Sequence, residues 1–292
     1  MTSRLFRKPF GLVLAGGGAH GAWQAAVVER LHNQYGLKFD HVLCFSIGAL
    51  TGTAYCLNRM EKLIAIWKNV SGHKVLRLRP RLFPFSVYSS GAIWDFMRHV
   101  GSEEEAQRKA RCNLTTMSYC VETRKHRYSR FSPGGYEGWD GPMTARLVAS
   151  CSIPRVFPPV QIRDQRCLRT YIDGGVKGED GFNFSALRDC RDILVLQMAR
   201  PDEVGRKPSL GLFSRKLQCA REGLQEAITT GLMPLQRLKP RPRIFRFYPT
   251  RRLDYSALDF TSRRCIPALY HGAHDADCLM IDPSTYLLPD VG

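Results

Sequence analysis

The first 60 residues alternate between short apolar runs and segments with helical spacing. FGLVLA at 10–15 has the pattern of a buried strand that enters a glycine turn, and the segment at 19–36 follows it with an apolar face of helical period. The apolar run HVLCF at 41–45 and the small residues after it repeat that order. Two such strand–turn–helix units predict an α/β fold, a three-layer α/β/α sandwich around a mainly parallel sheet.

Length and composition indicate one large domain with an extension. The chain has 292 residues, of which 44% are hydrophobic, which is enough for a sizeable core but short for two domains. We expect a core domain at 10–187 and an extension at 188–292 that packs on it. In the extension the pattern predicts a strand near 191–199, an amphipathic helix at 209–232, a strand at 243–248 and a C-terminal helix that contains YHGAHDADCL.

The charge balance is strongly basic. Lys and Arg number 43 against 26 Asp and Glu, a formal net charge of +17. Such a charge favours anionic partners, which include nucleic acid, acidic lipid headgroups and acidic proteins. Charge alone does not choose among them, because the basic residues are spread along the chain.

Cysteine usage and the N-terminal pattern bear on the compartment. The ten cysteines have neither a C-x-x-C pair nor zinc-finger spacing, which indicates reduced core residues in a reducing compartment. Basic residues before FGLVLA imitate a signal peptide, but the apolar run is too short, and no window is long enough for a membrane span. We therefore expect a protein that is cytoplasmic or peripheral to a membrane, with export by another route left open.

A glycine-rich turn follows the first predicted strand. Residues 16–21, GGGAHG, match the dinucleotide-binding pattern G-x-G-x-x-G, and Asp40 lies at a suitable distance for a ribose ligand. In such a unit the acid caps the end of the second strand, whereas HVLCF begins only after Asp40. A glycine turn before a helix presents free backbone N–H groups, which suit an oxyanion as well as a phosphate. We favour the oxyanion.

Ser46 follows the second predicted strand in the order strand, serine, helix. That order, written G-x-S-x-G, presents a nucleophilic serine on a strained turn that needs small neighbours. Gly48 supplies the second glycine, whereas Cys44 occupies the position of the first. Taken alone, a serine before a helix is more often an N-cap.

A carboxylate stands at the end of another strand-like run. In RTYIDGGV, Asp173 is followed by Gly174 and Gly175, which turn the chain sharply. A carboxylate there can take the proton of Ser46 as a general base without an intervening histidine. Asp-Gly-Gly is also a common turn.

In this order, the three motifs resemble those of the patatin-like phospholipase family. The segment ASCSIPRVFPPV at 149–160 is similar to the one that this family shows before its aspartate, and the resemblance covers about residues 10–180. It implies that Ser46 and Asp173 form a catalytic dyad, and that Gly16, Gly17 and Gly18 line the oxyanion hole. It further implies hydrolysis of phospholipid or lysophospholipid esters through an acyl-enzyme. No metal or organic cofactor is expected.

The chain departs from the family pattern in three places. Cys44 replaces the first elbow glycine, His20 replaces a basic residue before Gly21, and the sequence after Gly175 lacks the usual Asn-Pro pair. None of these changes removes a reacting group. The alternative is a non-catalytic protein of the same fold that binds anionic lipid or nucleic acid through its charge. We expect a peripheral contact with an anionic membrane surface and no nucleic acid.

Three further features have competing interpretations. His271, His274 and Asp277 have metal-like spacing, but the simpler interpretation is one packed helix. The serines of ASCS, at 150 and 152, are interpreted as packing or substrate contacts. The segment at 73–97 combines basic and aromatic residues. It is either an irregular connection with a partly buried aromatic cluster, or a lid or acyl-chain groove whose basic rim meets phosphate headgroups.

Overall fold

The apolar runs of the sequence lie side by side in one mixed sheet. The computed structural model describes residues 5–100, 102–134, 138–164, 167–176, 178, 180–203 and 212–289, with the backbone alone described at 100 and 212–221. Its strands are β1 Phe10–Leu14, β2 His41–Cys44, β3 Arg77–Arg81, β4 Ser86–Ser89, β5 Asn113–Cys120, β6 Lys125–Phe131, β7 Val160–Asp164, β8 Cys167–Asp173, β9 Asp192–Leu196 and β10 Arg243–Phe247.

Helices connect these strands and cover the sheet. They are α1 Gly21–Asn33, α2 Ile47–Cys56, α3 Met60–Lys68, α4 Gly72–Val75, α5 Gly91–Val100, α6 Glu103–Lys109, α7 Met143–Ser150, α8 Leu212–Gln236 and α9 Ser262–Ile281. The spacing of alanine, valine and leucine predicts one apolar face for α1, and the structure buries that face completely: Ala22, Ala25, Ala26, Val28 and Leu31. Within the described residues, no helix is long and apolar enough to cross a membrane.

The strand order of the main sheet is β10-β9-β1-β2-β5-β8-β7, with β6 on the other edge of β5. Strands β10, β9, β1, β2 and β5 run parallel, whereas β6, β7 and β8 form antiparallel pairs. The mainly parallel centre agrees with the predicted fold class. A parallel pair needs a crossover connection, and helices supply those crossovers after β1 and β2.

Side chains alternate between the two faces of β1, and each face is covered by helices. Leu12 and Leu14 belong to a core with residues of α1, α2 and α9, whereas Val13 belongs to a second core with residues of α8. The three layers predicted from the sequence are therefore present.

Residues 188–289 contribute to the same sheet. The strands predicted near 191–199 and at 243–248 are β9 and β10, and β9 pairs along the whole of β1. The helix predicted at 209–232 is α8; its first three predicted residues lie outside the described residues. The predicted C-terminal helix is α9, which packs on α1. The boundary at 187 stays a prediction, and the hydrogen-bonded sheet continues across it.

Candidate active site

Ser46 and Asp173 come together because two strands end against the same edge of β5. On that edge, β2 pairs in parallel as far as Cys44 opposite Thr116, and β8 pairs in antiparallel as far as Asp173 opposite Ser118. The opposite edge of β5 is occupied by β6. The two strands thus approach from opposite directions and stop one residue apart, so the residues that follow each strand end meet.

Ser46 occupies a strained backbone position. Its φ of 54° and ψ of −136° lie in a region that side chains other than glycine rarely adopt, and α2 begins at the next residue. A Cβ atom on Gly48 would lie 2.2 Å from the Leu14 carbonyl oxygen, so only glycine fits there. These features are those of the predicted nucleophile elbow. Ser46 makes no side-chain cap bond to α2, which argues against the simple N-cap interpretation.

Asp173 is a buried carboxylate beside this serine, with 5% of its surface exposed. Its Oδ1 accepts a hydrogen bond of 2.7 Å from the Gly175 N–H. Burial raises the pKa of Asp173 to about 6, although hydrogen bonding from Ser46 and from Gly175 lowers it in part. A carboxyl group with this pKa is an effective proton acceptor near neutral pH.

The Ser46 hydroxyl lies beside the Asp173 carboxyl, but no regular hydrogen bond between the two is present among the described residues. The hydroxyl is close enough to influence the carboxyl pKa, yet Asp173 Oδ2 has no hydrogen-bond partner among the described residues. Catalytic hydrogen bonds are often long without substrate and tighten when it binds. A buried oxygen without a donor is costly, and Oδ2 is therefore poised to receive a proton.

The end of α7 and the residues directly after it contact both Ser46 and Asp173. Both the carbonyl and the hydroxyl oxygen of Ser150 accept from the Ser46 N–H, each at 3.1 Å. The Ser150 carbonyl also accepts from the Gly174 N–H at 3.3 Å, and the Ser152 carbonyl accepts from the Asp173 N–H at 2.9 Å. Both serine side chains are fully buried, so the interpretation as substrate contacts is wrong. Sequence reasoning missed this bracing role because nothing local marks it.

The glycine turn lies against the serine. A Cβ on Gly16 would lie 2.9 Å from Ser46 Cβ, and one on Gly21 would lie 2.4 Å from Ile47 Cγ1, so both positions require close backbone approach. The N–H groups of Gly16, Gly17 and Gly18 find no acceptor in the described part of the chain. These donors beside Ser46 are available to an oxyanion.

One further N–H donor and one further contact of the glycine turn were not evident in the sequence. The N–H of Ile47, at the start of α2, has no acceptor within the described ranges, and it is a further candidate donor. His20, which stands in place of the basic residue of the family pattern, is buried and bonds to the Tyr255 carbonyl at 2.9 Å through Nε2. Its role in this chain is therefore to hold the glycine turn against residues 255–257.

Cys44 lies under α2 and not beside the path to Ser46. Its Sγ would be 3.0 Å from a Cβ on Gly52, which lies on α2, and it donates weakly to the Thr115 carbonyl. Strand alternation suggests that a large residue at 44 would crowd the approach to the nucleophile. The structure corrects this, because the side chain points into the core, where the absence of a side chain on Gly52 makes room. Burial also raises the pKa of the Cys44 thiol, which keeps it protonated.

An apolar cavity opens from Ser46 between α2, α3 and α5. Aliphatic and aromatic side chains dominate its walls, which is the chemistry that an acyl chain requires. Its lining consists of Gly18, Ser46, Ile47, Leu50, Leu63, Ile66, Trp67, Val70, Val75, Ala92, Ile93, Phe96, Cys151, Ile153, Phe157 and Phe260. The segment at 73–97 thus contributes Val75, Ala92, Ile93 and Phe96 to a groove, in line with the second of its two interpretations.

The structure does not bring together the residues of the nucleotide site or of the metal site that the sequence patterns offered as alternatives. Asp40 lies before β2 and bonds to the Phe10 N–H at 2.8 Å, at the end of the sheet opposite the glycine turn, so it cannot serve a nucleotide bound there. His271 pairs with Asp275 at 3.0 Å on α9, whereas Asp277 pairs with Arg30 at 2.8 Å. His274 Nε2 lies 3.7 Å from Cys278 Sγ, so the three residues with metal-like spacing have different partners.

A strained serine, a buried carboxylate and free N–H groups around an apolar cavity are the parts of an acyl hydrolase site. The family model for patatin-like phospholipases matches residues 12–184, which is more than half of the chain. The chain therefore belongs to the patatin-like phospholipase family and is an enzyme of the phospholipase and esterase class.

Two solved structures are similar to this chain. VipD from Legionella pneumophila has 12% sequence identity and a TM-score of 0.39, over 94% of this chain and 67% of that chain. The type III effector protein ExoU has 11% identity and a TM-score of 0.42, over 94% of this chain and 53% of that chain. The chain thus spans about half the length of ExoU. No curated protein matches the sequence at a significant level.

Proposed function

We propose that this chain hydrolyses carboxylic esters of phospholipids or lysophospholipids through an acyl-enzyme on Ser46, with Asp173 as the general base. The observation that carries the proposal is the pairing of a strained serine with a buried carboxylate whose Oδ2 lacks a partner among the described residues. The family supports lipid hydrolysis in general. The dyad and the substrate class go beyond it.

The first half of the reaction transfers the acyl group to the enzyme. Ser46 Oγ attacks the ester carbonyl carbon as its proton passes to Asp173 Oδ2. The N–H groups of residues 16–18 stabilise the negative oxygen of the tetrahedral intermediate. The intermediate collapses, the alcohol leaves with the proton from Asp173, and the acyl group stays on Ser46.

The second half releases the fatty acid. Asp173 takes a proton from water as the water oxygen attacks the acyl carbon, and the same donors hold the oxyanion. The proton then returns to Ser46 Oγ, which regenerates the free enzyme. Apart from the attacking water, this route uses only groups of the chain itself.

The substrate class follows from the surroundings of Ser46. The cavity walls are apolar, which suits an acyl chain, and the net charge of +17 suits anionic headgroups. We therefore propose peripheral contact with an anionic membrane and a location in the cytoplasm or at a membrane. Nucleic acid is not the expected partner.

A fluorophosphonate probe tests the nucleophile. We expect the probe to label wild-type protein and not Ser46→Ala, while Ser185→Ala, a change at an exposed serine, labels as wild type does. Lysophospholipid and diacyl phospholipid in mixed micelles then report the substrate class by release of fatty acid. A folded wild-type protein that neither labels nor hydrolyses would favour the non-catalytic lipid-binding alternative.

A further inference from the structure

The hairpin β3–β4 stands apart from the main sheet. Its two strands form a separate two-stranded antiparallel sheet with a turn at 82–85, and β4 makes an isolated bridge to Arg155. Every residue of β3 is exposed. We call residues 77–89 the basic hairpin.

The tip of the basic hairpin is apolar and open to solvent. Leu82 is 94% exposed and Phe83 is 93% exposed, the two highest values among large apolar side chains in the described part of the chain. Leu78 and Phe85 are also exposed, by 72% and 55%. Exposed aromatic and aliphatic side chains grouped in this way mark a surface that contacts another apolar phase.

The charged residues of the sequence on either side of this tip are basic. Between Glu61 and Asp95 the sequence has six Lys or Arg residues and no Asp or Glu. Arg79 and Arg81 form no ion pair with any described residue, whereas Arg77 pairs with Asp95 at 3.3 Å. A cationic strand that leads to an apolar tip complements anionic headgroups above a hydrocarbon layer.

The basic hairpin is attached to the walls of the cavity. The Val87 and Tyr88 N–H groups donate to the carbonyls of Arg155 and Val156, at 3.0 and 2.9 Å. Those carbonyls belong to the segment that continues from Ser150 past the cavity-lining Ile153 and Phe157. A tip held in a membrane would therefore keep the mouth of the cavity near the lipid.

We infer that the basic hairpin is the membrane-contacting element of this enzyme. Leu82 and Phe83 insert at the boundary between headgroups and acyl chains, while Arg79 and Arg81 bind anionic headgroups. The inference rests on the proposed function for the identity of the substrate, but the membrane contact can be measured without catalysis.

Sedimentation with vesicles tests the contact directly. Vesicles of phosphatidylcholine alone are compared with vesicles that also contain phosphatidylserine, which gives them an anionic surface. The variants are Leu82→Ser with Phe83→Ser, and Arg79→Glu with Arg81→Glu. The matched control is Ile281→Ser, because Ile281 is also a highly exposed apolar residue (84%). It lies at the C-terminal end of α9, whereas the N-terminal end of that helix bonds to Val70 beside the cavity.

We expect the Leu82/Phe83 variant to bind both kinds of vesicle at least roughly tenfold more weakly than wild type. The Arg79/Arg81 variant should lose about as much on anionic vesicles and little on neutral ones. The Ile281 variant should bind as wild type does. All variants should keep wild-type turnover of a short-chain soluble ester, because none of the changed residues lines the cavity.

Several results would overturn the inference. Unchanged vesicle binding in the Leu82/Phe83 variant would exclude the tip, and so would the absence of vesicle binding by wild type. A wild-type dimer that this variant converts to a monomer, measured by light scattering, would make the tip a protein contact instead. A wild type that binds vesicles through the tip but cleaves no soluble ester would refute the proposed function and leave the membrane contact standing.

Discussion

Ser150 holds the main chain of Ser46 with two acceptors: its carbonyl and its hydroxyl oxygen each lie 3.1 Å from the Ser46 N–H. The same hydroxyl donates to the Met117 carbonyl at 2.6 Å, at the point where β2 and β8 end against β5. The strained elbow is therefore fixed by a residue about one hundred positions away in the sequence.

Ser150→Ala should slow acylation without weakening substrate binding. The change removes one acceptor from the Ser46 N–H and leaves the Met117 carbonyl without its donor, at a cost of about 1–3 kcal/mol in the free energy of unfolding. We expect a lower kcat with an unchanged KM and slower fluorophosphonate labelling. Ser152→Ala is the control, because that hydroxyl bonds to Val148 within the preceding helix. Equal labelling rates for the two variants would refute the bracing role.

Ser46 and Asp173 should behave as one unit in kinetics. Ser46→Ala should abolish ester hydrolysis, and Asp173→Asn should lower kcat by about 10²–10⁴ because the base is lost. The double variant should be little slower than Ser46→Ala, since groups that act together are not additive. Circular dichroism checks that each variant is folded. Full activity of Asp173→Asn would reopen the search for another base.

The pKa of Asp173 predicts opposite effects of pH on activity and stability. Activity needs the carboxylate, so kcat/KM should rise with pH through an apparent pKa of about 6. Because the folded pKa lies above the unfolded value of 3.8, this group's stabilisation is full below pH 3.8 and is lost as pH rises through 6.

Relative to wild type, Asp173→Asn should therefore become more stable as pH rises. At pH 8 the neutral amide avoids burial of a charge. The rise of the Asp173 pKa from 3.8 to about 6 corresponds to a cost of about 3 kcal/mol in the free energy of unfolding of the wild type. We expect its Tm to exceed that of wild type at pH 8 and to match it near pH 4. Thermal unfolding at both values measures the difference. A variant that is less stable at pH 8 would contradict the cost assigned to the buried carboxylate.

A side chain at position 17 should lower activity because it would collide with Met198. A Cβ at this position would lie 2.6 Å from Met198 Sδ, so Gly17→Ala must displace either the Met198 side chain or the turn that carries the N–H groups of residues 16–18. We expect the turn to move, because the Met198 side chain is buried. Misplacing one oxyanion donor costs about 10²–10³ in rate. The Met198→Ala change should restore much of this activity in the double variant, since the nearest remaining atom, Met198 Cβ, lies at 3.2 Å. Absence of rescue would show that the glycine acts in another way.

Cys44 should affect stability more than chemistry. Leucine at this position would press against Gly52 and lower the free energy of unfolding by about 1–3 kcal/mol. Cys44→Gly and Cys44→Ala should keep kcat. Urea unfolding, together with turnover per labelled site, separates the two effects. A Cys44→Leu protein of wild-type stability but without activity would mean that position 44 controls access to Ser46.

Local sequence was enough for the elements that carry the reacting groups. Only glycine fits where two backbones approach closely, so Gly16, Gly48 and Gly174 mark the turns beside Ser46 and Asp173. The strands β1, β2, β9 and β10 and the long helices were predictable because apolar periodicity records burial. The order of the motifs then indicated the family that the comparison confirms.

Tertiary structure alone decided which residues share an environment. The meeting of β2 and β8 depends on register along β5, and the bracing by Ser150 depends on where α7 ends, and neither leaves a local pattern. Cys44 shows the same limit: alternation gave the face of its side chain, but only the packing of Gly52 showed what lies there. Sequence patterns record the burial of each residue with its neighbours, whereas a site is set by long-range pairing, which depends on the whole sheet at once.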